Sequence, residues 1–122
     1  MSFSDPFYMP EYFEFQEEIA LLESDDPQEH EQGLSQLTRM AEQGNVDAMV
    51  VLGRHFYNGR YRDMYATLKW YICAAQEKHF EGQARVARLY NHPEDDQTVQ
   101  AIQKLAEEGY DRDRVFHLCG LS

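Results

Sequence analysis

Five histidines, two cysteines and one run of three carboxylates are the residues of this 122-residue chain best suited to metal or acid–base chemistry. His30, His55, His79, His92 and His117 never fall at H-x-x-x-H spacing, and no H-E-x-x-H occurs. No helix therefore offers the i, i+4 histidine pair of a zinc site, and all five are expected at the surface, with His79 in a solvated turn beside Lys78. Glu94-Asp95-Asp96 lacks the spaced oxygen ligands and central glycine of a calcium loop. It is expected as negative charge at a helix start. Ser2, Ser4, Ser24 and Ser35 lie in no nucleophile-elbow motif, and the seven glycines fall at turn and packing positions rather than in a phosphate-cradling loop. Cys73 and Cys119 form no C-x-x-C unit. Without a secretory signal, buried reduced thiols are the expectation. The residue types thus predict no enzymatic activity, cofactor, metal or small-molecule substrate.

The opening MSFSDPFYMPEYFEF has no basic n-region and no unbroken apolar stretch, so it does not read as a signal peptide. No apolar run approaches the roughly 18 residues of a membrane span, and a cytoplasmic location is expected. The formal net charge is −11, which argues against nucleic acid and anionic membrane as partners. From Met1 to Thr38 there are ten acidic residues and no Lys or Arg; from Arg39 to Tyr90 there are eight basic and five acidic. Acidity concentrated at one end can attract a basic protein, or can serve solubility alone.

Pro6 and Pro10 exclude a helix over the first ten residues. The aromatics Phe3, Phe7, Tyr8, Tyr12 and Phe13 read either as a cap over an open first helix or as a patch that anchors a partner. Apolar spacing then predicts seven helices and no strand: about 11–23 and 27–43, a third with Ala48, Leu52 and Phe56 inward, a fourth carrying Leu68, Trp70, Tyr71, Ala74 and Ala75, then about 80–91, 95–108 and 111–119. Asp26, Asn45 and Asp63 are placed to cap the second, third and fourth, with Pro27 at a first helical position. Gly44 and Gly109 close two of them.

The stretch 41–90 divides into halves of similar pattern, Gly44-x3-Ala48-x3-Leu52-Gly53-x2-Phe56 and Lys78-x3-Gly82-x3-Val86-Ala87-x2-Tyr90, offset by 34 residues. That period marks a helical repeat. Ala48, Leu52, Gly53, Gly59, Asp63, Trp70, Tyr71, Ala74 and Ala75 resemble the Sel-one-like repeat, a relative of the tetratricopeptide repeat. Phe56 stands where the family has Tyr, Thr67 where it has Ala, and Lys78 where it has Gly. The resemblance implies one all-α domain over 1–122: a short right-handed α/α solenoid of about seven antiparallel helices. Residues 1–40 would be an arm and a degenerate capping repeat, 41–91 the best-matching repeats and 92–122 a C-terminal cap.

It also implies a concave protein-binding face lined by Asp47, Val50, Arg54 and Tyr57, then Glu81, Ala84, Arg88 and Asn91. Trp70 and Tyr71 would belong to the core and its edge, and Gly53 would touch the helix carrying Ala74 and Ala75. Proteins of this family act in bacteria and eukaryotes as adaptors and assembly factors. For so small and acidic a chain, the expectation is an antitoxin or immunity protein that masks a basic effector, with an adaptor in signalling or secretion as the alternative. A hydrolase of the cysteine-rich Sel-one-like type is the remote alternative, because Cys73 and Cys119 do not make that type's paired pattern.

Overall fold

The computed structural model describes residues 14–121, and among these it is all-helical. Seven helices follow one another with short turns: α1 (Gln16–Leu22), α2 (Pro27–Glu42), α3 (Val46–Asn58), α4 (Met64–Gln76), α5 (Phe80–Asn91), α6 (Asp96–Glu107) and α7 (Arg112–Leu118). The aromatic arm Phe3, Phe7, Tyr8, Tyr12 and Phe13 lies outside the described residues. The predicted start of the first helix, at about residue 11, also lies outside them; within them Phe15 is the N-cap of α1 and is buried in the core.

Short polar side chains start the helices. Asp26 accepts from the Gln28 N–H at 2.9 Å, Asn45 from Ala48 at 3.0 Å, Asp63 from Ala66 at 3.1 Å, Asp95 from Thr98 at 2.9 Å and Asp111 from Arg114 at 2.9 Å. Each satisfies one of the amides a helix leaves unpaired at its start.

One device stops α2, α4, α6 and α7. A residue with positive φ follows the C-cap: Gly44 (99°), Lys78 (65°), Gly109 (98°) and Gly120 (71°). Its N–H and the next one turn back onto the last turn, as in Gly44→Ala41 at 3.0 Å and Asn45→Met40 at 3.0 Å. This is the Schellman arrangement.

Packing runs along the chain: α1 on α2, α2 on α3, α3 on α4, α4 on α5, and α4 also on α6. Leu37, Leu52, Leu68, Tyr71, Val86, Leu89, Leu105 and Val115 form the centre of the core. Three glycines set close approaches between helices, and on Gly33 of α2 a Cβ would stand 2.8 Å from the Glu18 carbonyl oxygen and Leu21 Cβ of α1. A Cβ on Gly53 would stand 2.8 Å from the Tyr71 ring, and one on Gly82 would stand 2.9 Å from the Ala75 backbone nitrogen. Gly53 therefore meets the expected helix, but at Tyr71 rather than at Ala74 and Ala75; Gly82 meets those. Tyr71 is fully buried and Trp70 half-buried. No described helix is long and apolar enough to cross a membrane.

Candidate functional site

Of the residues proposed for recognition, Arg54 and Tyr57 of α3 and Glu81 of α5 lie along a polar seam. Arg54 and Glu81 make a two-pronged ion pair: Arg54 Nε donates to Oε2 at 2.8 Å, and Nη2 donates to Oε1. Only 16% of the Arg54 side chain and 23% of Glu81 is exposed. Tyr71, from α4, offers its hydroxyl to the same Oε2 at 3.5 Å. Burial pushes the Glu81 carboxyl up, but the Arg54 guanidinium outweighs it and holds the group below the ordinary glutamate value.

The seam continues in both directions. His79, the N-cap of α5, accepts from the Glu81 N–H through Nδ1 at 3.1 Å. That places the proton of a neutral ring on Nε2, which lies 3.7 Å from Asp47 Oδ1. His79 thus lies in the turn between α4 and α5, as expected, and caps α5 from there, half-buried. Beyond Arg54, Tyr57 donates to Glu94, and the Arg85 guanidinium lies 5.2 Å from the Tyr57 ring centroid. The bond to Glu94 is the main reason the Tyr57 hydroxyl is held above its ordinary value. Arg62 joins Asp95 at 2.8 Å and Glu94 at 4.0 Å, so the acidic run is a helix start tied to a cation. The bonds from Thr98, side chain and backbone, lower the Asp95 carboxyl first, and Arg62 adds to them.

Of the eight residues expected on one face, Val50 is not on it. It is fully buried, because α3 is covered on several sides and buries Ala48 through Gly53 without a break. Arg54, Glu81 and Tyr57 reach the seam but are engaged with other side chains there. Asn91 accepts from Arg112 Nε at 2.8 Å. Asp47 is half-buried; Ala84 and Arg88 are exposed on α5.

Two histidines depart from the surface positions expected of them. His30 on α2 and His55 on α3 bring their rings to 5.5 Å between centroids, and Tyr61 stacks on His30 at 4.4 Å. His30 Nδ1 lies 3.0 Å from the Leu22 carbonyl, and His55 Nε2 is buried with no hydrogen-bond partner among the described residues. Burial, then the neighbouring His30, lowers the His55 pKa. His92 and His117 are exposed. Among the described residues no group of three or more His, Cys, Asp or Glu is placed to hold a metal ion.

The acidic end is the other candidate surface. From Glu14 to Glu31 there are eight carboxylates, all exposed except the half-buried Glu18. Among the described residues the only cation within ion-pair distance of them is Arg60, 2.5 Å from Asp25. Sequence reasoning saw this ridge but missed Phe80, which is 83% exposed at the start of α5. Its signal was an aromatic at a first helical position, on the polar side of the α5 pattern.

Comparison of the chain with protein-family models, with curated proteins and with solved structures gives no match.

Proposed function

We propose that this chain is a non-enzymatic, cytoplasmic protein-binding module, of the antitoxin or immunity type, that captures one basic protein. The observation that carries the reading is the acidic ridge over residues 14–31: eight carboxylates, with Arg60 the one cation in contact with them among the described residues. Self-repulsion along such a ridge costs stability, and a basic partner would relieve it. The tied seam on α3 and α5 would present Asp47, Tyr57 and Arg88 from a preformed scaffold, which lowers the ordering cost of binding.

The architecture we propose is a right-handed α/α solenoid of antiparallel pairs, similar to Sel-one-like repeats. Support comes from the helix ends. The positive-φ residues after α2, α4 and α6 fall at Gly44, Lys78 and Gly109, spaced by 34 and then 31 residues, and α7 closes in the same way at Gly120. The packing of α4 on both α5 and α6 also suits stacked pairs. The thiols favour a non-enzymatic role: burial pushes Cys119 up to about 11 and raises Cys73 as well, away from the thiolate a nucleophile needs.

The test is to identify the partner by capture from native cells and then to measure binding kinetics against salt. Changing Glu14, Glu17, Glu23 and Glu31 to Gln should lower the association rate and flatten its salt dependence. Tyr57→Ala should instead speed dissociation, by about 1 kcal/mol or more if it is an anchor. An association rate indifferent to ionic strength would remove the basic partner from the reading.

A further inference from the structure

Between α1 and α3 lies an open cavity of about 160 Å³. Ile19, Leu22 and Val51 give it an apolar lining; Arg54, His55, Asn58 and the exposed Glu23 give it a polar one. It is well below the roughly 300–1,000 Å³ of small-molecule sites and suits a single ring. Arg54 is tied to Glu81, and Glu23 brings the opposite charge, so the lining does not select an ion. His55 supplies the remaining clue. Its Nε2 is buried with no partner among the described residues, and a buried ring nitrogen left in that state is uncommon. A ring that carries a hydroxyl would fill the space and bond the nitrogen.

The chain that leads into α1 has such rings. Phe3, Phe7, Tyr8, Tyr12 and Phe13 are five of residues 1–13. These residues join the described fold at Glu14, next to the buried Phe15 that caps α1. Helix α1 is itself a wall of the cavity, so the segment is attached beside it. Ile19 and Glu23 lie about 6 to 12 Å along α1 from Phe15 at 1.5 Å per residue. An extended chain running back covers that length in about two to four residues. Pro10 suits the second place of a reversing turn. Counting back from it, Tyr8 and Phe7 come level with the cavity. Side chains of an extended chain alternate, so only one of the two faces the wall, and only Tyr8 carries a hydroxyl.

We propose that residues 1–13 run back along α1 of their own chain and seat the Tyr8 ring between α1 and α3, its hydroxyl on His55 Nε2. The short tether favours this over the same segment of a second copy. A site joined by a few residues sees its ligand at millimolar effective concentration, whereas two chains of net charge −11 repel. Tyr8 then completes the fold instead of anchoring a partner, and the exposed carboxylates of residues 14–31 stay open.

Nuclear magnetic resonance on the full chain tests this. The expected result is a set of Overhauser contacts from the Tyr8 ring to the Ile19 and Val51 methyls, unchanged on dilution and absent between differently labelled copies. Tyr8→Phe should move the His55 ring signals and leave those of exposed His92 and His117 in place. Tyr8→Ala should lower the melting temperature by several degrees, and Phe7→Ala should change it much less. Absence of the Tyr8 contacts would overturn the proposal, and so would contacts that run between copies. A melting temperature indifferent to Tyr8→Ala, or as sensitive to Phe7→Ala, would also overturn it, as would His55 signals that ignore Tyr8→Phe.

Discussion

Gly44 and Lys78 stand 34 residues apart and close α2 and α4 with the same backbone turn, at φ 99° and 65°. Lys78 donates to Ala75 at 2.9 Å and His79 to Ala74 at 3.1 Å, matching Gly44 to Ala41 and Asn45 to Met40. A left-handed conformation costs a residue with a Cβ about 1–2 kcal/mol, and glycine avoids that cost. Lys78→Gly should therefore raise stability by about 0.5–1 kcal/mol, with part of the gain offset by the loss of the lysine chain lying beside Gly120. Gly44→Ala should lower it by about 1 kcal/mol although no atom lies within 4 Å of the new Cβ, so the whole effect is backbone strain. Urea midpoints for the two variants check both signs.

A second comparison separates rigid from movable neighbours. At Gly82 an added Cβ meets the Ala75 nitrogen at 2.9 Å and the Tyr71 carbonyl oxygen at 3.0 Å, which are main chain; at Gly53 the nearest atoms, at 2.8–3.0 Å, belong to the Tyr71 ring. Gly82→Ala should cost about 2–3 kcal/mol and Gly53→Ala less, while Gly53→Leu should cost about 1–3 kcal/mol or more by displacing the ring. Equal melting temperatures for the two alanine variants would contradict this packing.

The Arg54–Glu81 pair predicts an acid limb. A carboxylate whose value in the fold lies below its unfolded value adds stability above the unfolded value, and that stability is lost as pH falls through the folded one. Glu81→Gln should cost about 1–3 kcal/mol at neutral pH, because it leaves a half-buried guanidinium short of its charge partner. The variant's stability should then fall less than that of the parent below about pH 4.5. Parallel denaturant titrations at neutral and acid pH read the difference.

His55 predicts a second pH slope of the same sign at higher pH. Its folded value is depressed by burial and by His30, so the unfolded chain takes up a proton first as pH falls below about 6.5. Stability should fall from there until the folded value is passed. His55→Gln should flatten the melting temperature between about pH 7 and 5. A slope unchanged by the substitution would place the proton uptake elsewhere.

Among the described residues, seven helices and most of their ends were legible in the chain itself. Capping and chain reversal are local: Asp26, Asn45 and Asp63 bond to amides two or three residues away, and Gly44 needs only its own φ. The 34-residue offset was legible for the same reason, since it repeats such local signals. What each side chain meets was decided by packing. Periodicity says which residues share a face, but not how many neighbours cover the helix. Val50 was expected outward and is buried because α3 has cover on more than one side. His30 and His55 come together from helices 25 residues apart, Arg54 reaches Glu81 across 27, and Phe80 is left uncovered. No local rule contains those distances, because long-range contacts form only when the helices dock and each surface is either filled or left open.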